Sequence, residues 1–168
     1  VYPLMVGHEG VGEVVEVGAK VKGLKKGDKV LLPFVDPDPE NLPGLSSAWG
    51  AMSEYAVVCD PTAYPEGEAP DCAYAQTVLD DDLDPVDAAM IVTFREVLSN
   101  IRYFGIKPEH SVVVFGCGPV GLTYIKFLSL LGVENIVACD ILPAKLEQAK
   151  VYGAKYFINS KEQDVTAE

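Results

Sequence analysis

The sequence predicts an α/β chain in which a strand-rich first part is followed by a parallel sheet wound with helices. Two observations carry this. Residues 1–35 combine β-branched valines with frequent glycines, the pattern of short strands and tight turns. From Ser111 onward, apolar runs of strand length alternate with segments of helix length, the order that a parallel sheet with right-handed crossovers requires.

In the first part, Val11, Val14, Val15, Val17 and Val21 are punctuated by Gly7, Gly10, Gly12, Gly18, Gly23 and Gly27. Residues 27–32 read as a turn feeding a buried strand. Pro33, Pro37, Pro39 and Pro43 make residues 33–49 a loop, because proline cannot donate to a central ladder. Residues 50–58 resume as a strand that Cys59 extends, and residues 60–71, with Pro61, Pro65 and Pro70, form a second loop. Asp84-Pro85-Val86-Asp87 reads as a helix start: Asp84 caps, Pro85 suits the first position, and Asp87 favours the positive end. That helix runs through Met90, Phe94, Val97, Leu98 and Ile101 to Gly105. Residues 111–115 (Ser-Val-Val-Val-Phe) read as a strand buried on both faces. Helix 119–131, strand 135–139, helix 143–152 and a third strand from Tyr156 follow, with Gly132 and Gly153 closing the helices.

The 168 residues suffice for one ordinary domain or two small ones. With 13 basic and 25 acidic residues, the net charge of −12 repels phosphate backbones and anionic lipid, so neither nucleic acid nor a membrane is expected as a partner. None of Cys59, Cys72, Cys117 and Cys139 forms a C-x-x-C pair. A reduced, cytoplasmic setting fits better than a disulfide framework, with a Cys59–Cys72 pair as the alternative. The longest apolar stretch, residues 121–133, is interrupted by Lys126 and is too short to span a bilayer. The chain starts at Val1 and stops in the polar residues 161–168, which reads as a piece of a longer protein.

The most informative motif is Gly116-Cys117-Gly118-Pro119-Val120-Gly121, a G-x-G-x-x-G run. It follows a predicted strand and opens a predicted helix, and an acid, Asp140, ends the next strand 24 residues after the first glycine. Gly116 permits the turn, Gly118 lets the backbone approach a pyrophosphate, and Gly121 lets helix and strand pack closely. The helix that Pro119 and Val120 begin offers unpaired N–H groups and a partial positive charge to phosphates. Asp140 can accept from both ribose hydroxyls and would repel a 2′-phosphate. Ile141 and Leu142 supply no cation to neutralise one, so NAD is expected over NADP. The competing reading is a glycine turn in a sheet that binds nothing.

Gly7-His8-Glu9-Gly10-Val11-Gly12 resembles the Gly-His-Glu signature of the medium-chain, zinc-containing alcohol and polyol dehydrogenases. Gly27-Asp28-Lys29-Val30, Ser53-Glu54-Tyr55 and the Gly-Ile-Lys-Pro stretch from Gly105 to Pro108 extend the resemblance in the right order. It implies a catalytic zinc bound by His8, with Glu9 beside the metal as a supporting carboxylate or an alternate ligand, and an alkoxide giving hydride to nicotinamide. From spacing alone, a structural histidine in a glycine turn is the favoured reading of His8; the resemblance favours the ligand. The resemblance also gives Lys145 a contact with the adenine ribose, against an ordinary solvent-facing lysine.

The sequence departs from that pattern in three places. Only six residues precede Gly7, too few for the family's upstream cysteine ligand and relay hydroxyl. The third ligand, Cys or Glu, aligns with Val92 or Ile91; Glu96, a turn further on, could substitute or could simply form a surface ion pair. The loop to Trp49 has no cysteine, so no structural zinc is expected. Among minor candidates, His110 is expected exposed, Cys117 a tolerated small side chain, Trp49 a packing residue, and Asp80–Asp84 a solvated capping cluster.

The expected architecture is therefore a β-rich GroES-like partial barrel (residues 1–83), a connecting helix (84–110) and the first half of a Rossmann doubly wound sheet (111–168). The expected function is NAD-linked oxidation of a small alcohol or polyol at a catalytic zinc, within a full-length protein that is a homo-oligomer; these residues alone are expected to be inactive. The alternatives are a zinc-independent reductase of the same superfamily and a non-catalytic nucleotide-binding module.

Overall fold

The computed structural model describes residues 6–31 and 51–165. The chain divides into two compact units, Val1–Val92 and Thr93–Glu168. No helix among the described residues is long and apolar enough to cross a membrane.

In the first unit, β1 (Val11–Glu13) pairs antiparallel with β2 (Lys29–Leu31), placing Val11 opposite Leu31. Val14 N–H donates to Asp28 O and Gly27 N–H to Val14 O, extending the pairing beyond the strands. Val30 and Leu31 are buried, as the sequence pattern of residues 27–32 requires. A segment not foreseen, Thr77–Leu79, adds to the other side of β2: Leu31 N–H donates to Thr77 O, and Leu79 N–H to Lys29 O. The short helix α1 (Asp71–Ala75) was also not foreseen; it buries Cys72 and Ala73 just past the predicted loop.

The strand expected at residues 50–58 is not formed in the described residues. Ala51–Tyr55 is a run of turns and bends, and residues 56–60 are irregular. A strand is stable only with a ladder partner, and among the described residues this segment joins no sheet, although Ala51 N–H donates to Gly7 O. The predicted loop 33–49, with Trp49, lies outside the described residues.

The helix expected to run unbroken from Asp84 is two helices, α2 (Pro85–Ala89) and α3 (Ile91–Tyr103), interrupted at Met90. Asp84 caps α2 as its sequence suggested, its carboxylate accepting from Val86 N–H at 2.7 Å. Met90 N–H bonds Asp87 O three residues back, tightening the last turn. The packing duty changes further on, within α3, between Val92 and Val97. Ala88 and Val92 join Leu31 and Leu79 in one apolar cluster, while Val97 and Ile101 join the core of the second unit.

That second core is built as the sequence pattern implied. Strands β3 (Ser111–Phe115), β4 (Asn135–Asp140) and β5 (Tyr156–Asn159) form a parallel sheet in the order β3-β4-β5. Helices α4 (Pro119–Leu130) and α5 (Pro143–Tyr152) make the crossovers. Leu122, Ile125 and Leu128 bury one face of α4 against Val114, Ile136 and Ala138. Each such leucine or isoleucine contributes roughly 1.5–3 kcal/mol on burial. The expectation that β3 is buried on both faces does not hold here. Val113 is 48% and Phe115 69% exposed, because both crossover helices pack on the same side of the sheet, as right-handed connections dictate.

Candidate nucleotide site

The site grows from the end of β3. Gly116 takes a left-handed φ of +87°, which turns the chain out of the sheet and into α4. Its N–H donates to Cys139 O at 2.8 Å, carrying the β3–β4 ladder one residue into the loop. Gly118 caps α4 without any side-chain bond, and Pro119 occupies the first helical position. The first amides of α4 therefore have no intrahelical carbonyl to bond, and they face outward with the positive end of the helix.

Two glycines have distinct steric reasons. A Cβ on Gly121 would collide with the Gly116 carbonyl oxygen, so only glycine allows the helix to start this close to the strand. A Cβ on Gly118 would meet nothing within 4 Å, so the space beside it is open to a ligand.

Asp140, the last residue of β4, reaches across to this loop. Its Oδ2 accepts the Cys117 N–H at 2.7 Å and its Oδ1 accepts the Leu142 N–H at 2.9 Å. The bonds from Cys117 and Leu142 hold its carboxyl below the usual aspartate range, outweighing partial burial. Each oxygen retains acceptor capacity, since a carboxylate oxygen has two lone pairs. Lys145, half-buried on α5, donates from Nζ to Gln148 Oε1 at 3.1 Å, and its charge also favours ionised Asp140. Cys117 is fully buried, and burial followed by the Asp140 charge pushes its thiol up, which suits packing and not nucleophilic attack. The Cys117 amide was the contribution sequence reasoning missed. Only its side chain is written in the sequence; the donor belongs to the backbone.

The loop and carboxylate thus fit the adenosine half of a dinucleotide: helix-end amides for phosphates, open space at Gly118, and a fixed acceptor for ribose hydroxyls. The donor set for zinc does not fit in the same way. His8 is half-buried and Glu9 exposed, both in the Gly7–Gly10 turn of the first unit. Among the described residues no three His, Cys, Asp or Glu side chains come together as a metal seat. Val92 is 9% exposed and Ile91 packs with it against Leu31, Leu79 and Ala88, so the third-ligand place is apolar core. Glu96 is exposed on α3, and His110 is exposed, its Nδ1 accepting from Lys107 N–H. The cysteines are free thiols. Asp84 is the helix cap already described, and Asp80–Asp82 are exposed.

Comparison with known proteins agrees with this picture. Residues 1–67 match the family model of the alcohol dehydrogenase GroES-like domain. The chain is 31% identical to (R,R)-butanediol dehydrogenase of Bacillus subtilis, over 99% of this chain and 47% of that protein. It is 33% identical to the NADP-dependent isopropanol dehydrogenase of Clostridium beijerinckii, over 94% of this chain and 47% of that protein. Galactitol-1-phosphate dehydrogenase of Escherichia coli superposes with a TM-score of 0.73 at 27% identity, covering 99% of this chain and 49% of that one. The fold is accordingly a GroES-like domain portion followed by part of a Rossmann sheet, and over nearly its whole length the chain is similar to alcohol and polyol dehydrogenases. It spans about half the length of the curated relatives it matches.

Proposed function

We propose that this chain supplies the adenosine-binding half of an NAD-linked oxidoreductase acting on small alcohols or polyols. The single observation that carries the reading is the Asp140 carboxylate, tied to the Cys117 amide at the mouth of the glycine turn. In that position Asp140 takes the ribose hydroxyls, and its charge disfavours a 2′-phosphate. The amides of Gly118, Val120 and Gly121 seat the pyrophosphate, Gly116 makes the turn, Pro119 starts the helix, and Lys145 flanks the ribose. When bound, the nicotinamide supplies hydride transfer to or from the carbon bearing the alcohol. The chain's own residues hold and orient the nucleotide.

NAD is favoured over NADP on the chemistry of Asp140, Ile141 and Leu142, although two relatives are named as NADP-dependent. Residues 1–83 are the GroES-like portion, 84–110 the connection and 111–168 the nucleotide-binding portion in this reading. His8 and Glu9 are the positions where the family resemblance would put a catalytic zinc. The described residues supply no third donor there, and no step of the chemistry is assigned to a metal. The apolar packing of Val92 favours the second reading, a zinc-independent reductase of the same superfamily. A homo-oligomeric, cytoplasmic full-length protein remains part of the proposal.

The test is titration of the purified chain with NADH and with NADPH, read by nucleotide fluorescence. Saturable binding that prefers NADH supports the reading. Absence of binding, or a preference for NADPH, overturns it.

A further inference from the structure

We infer that this chain does not close a zinc centre at His8 and that its nucleotide site works without metal, the second clause resting on the proposed function. A catalytic zinc takes three protein ligands, drawn mainly from His, Cys and acidic side chains, and keeps one open position. The chain has two histidines and four cysteines, and all six lie in described residues. His110 belongs to the other unit, in the turn before β3, and its Nδ1 is engaged by Lys107 N–H. Cys117 and Cys139 are buried beneath the glycine turn of that same unit, at 0% and 2% exposure. Cys72 is buried on α1, and Cys59 is half-buried beside Asp60.

Three of the described carboxylates have hydrogen-bonding duties of their own. Asp60 accepts from Lys22, Gly23 and Thr62, Asp84 caps α2, and Asp140 binds two amides at the nucleotide turn. The acids outside the described residues, Asp36, Asp38, Glu40 and Glu168, add only oxygen. One imidazole with hard oxygen donors is a set suited to magnesium, calcium or manganese more than to zinc. At Val92 and Ile91, where the resemblance puts the third ligand, the side chains carry no donor atom and pack in an apolar cluster with Leu31, Leu79 and Ala88.

The experiment uses the purified 168-residue chain, loaded with Zn²⁺, dialysed, and assayed for zinc by mass spectrometry. Parallel samples take Co²⁺ for visible absorption and NADH before and after chelator. The expected result is well below one zinc per chain, no tetrahedral cobalt absorption, and a nucleotide Kd that chelator shifts by less than about twofold. One dialysis-resistant zinc per chain, or a tetrahedral cobalt spectrum, overturns the first clause. A loss of nucleotide affinity of about tenfold or more on chelation overturns the second. If His8→Gln is made, zinc retention that depends on it counts against the inference; the wild-type measurements decide the matter should that variant not fold. A chain free of zinc that also fails to bind NADH contradicts the proposed function and leaves the donor argument standing.

Discussion

The carboxylate of Asp140 receives the backbone N–H of Cys117 at 2.7 Å, joining the tip of β4 to the glycine turn after β3. Both partners of this bond belong to the chain, so the fold itself fixes the acceptor proposed for a ribose. Preorganisation of this kind lowers the ordering cost of binding.

Replacing Asp140 by Ala removes both the ribose acceptor and the clamp on Cys117. NAD affinity is expected to fall by about tenfold to a hundredfold, the scale of hydrogen bonds to a charged group at ~1.5–3 kcal/mol. Isothermal titration calorimetry measures it. An unchanged Kd would remove Asp140 from the site.

The double change Asp140→Ala with Ile141→Arg is expected to move the preference from NAD towards NADP. A cation then meets the 2′-phosphate where a carboxylate had repelled it. Competition between the two nucleotides reads the ratio, and unchanged selectivity would count against the role given to Asp140.

Gly121→Ala places a methyl group against the Gly116 carbonyl oxygen, which is backbone and cannot swing away. A cost of about 1–3 kcal/mol is expected from overpacking. Urea unfolding of the second unit, followed by circular dichroism, gives the number. Gly118→Ala meets no protein atom, so it is expected to spare stability while weakening nucleotide binding.

Asp60 carries the acid sensitivity of the first unit. Burial is the largest influence on it and pushes its carboxyl up. The Thr62 hydroxyl and the amides of Thr62, Gly23 and Lys22 together outweigh burial and hold it below the usual value. A depressed folded pKa gives stability that is present above the unfolded value and lost as pH falls through the folded one. Asp60→Asn is therefore expected to be less stable at neutral pH and to lose part of this acid dependence. Thermal unfolding followed from neutral to acidic pH checks both.

The 168 residues alone are expected to produce no NADH from alcohols or polyols, since the described sheet offers a seat for one half of the dinucleotide only. Chelator-sensitive turnover would contradict this and the inference on zinc together.

The second unit was far more legible in the sequence than the first. Its strands are apolar and continuous, its helices end at Gly132 and Gly153, and Asp140 stands at a diagnostic distance from Gly116. The first unit rests on three-residue strands and on contacts between distant backbone segments, which leave little periodicity. The Asp60 clasp on Lys22 and Gly23 spans 38 and 37 residues, and nothing near Asp60 names its partners. Its only local trace is Thr62 two residues on, whose amide and hydroxyl the same carboxylate accepts. The break at Met90 was hidden because the apolar spacing runs on through it, from Ala88 to Val92, into the same cluster.

The central claim is that a dinucleotide sits between the glycine turn and Asp140. The most direct measurement is an amide-resolved NMR titration of the chain with NAD. The account expects saturable shifts at Gly116, Cys117, Gly118, Val120, Gly121 and Leu142, abolished in Asp140→Ala. Shifts confined to other residues, or a spectrum that NAD leaves unchanged, would contradict it.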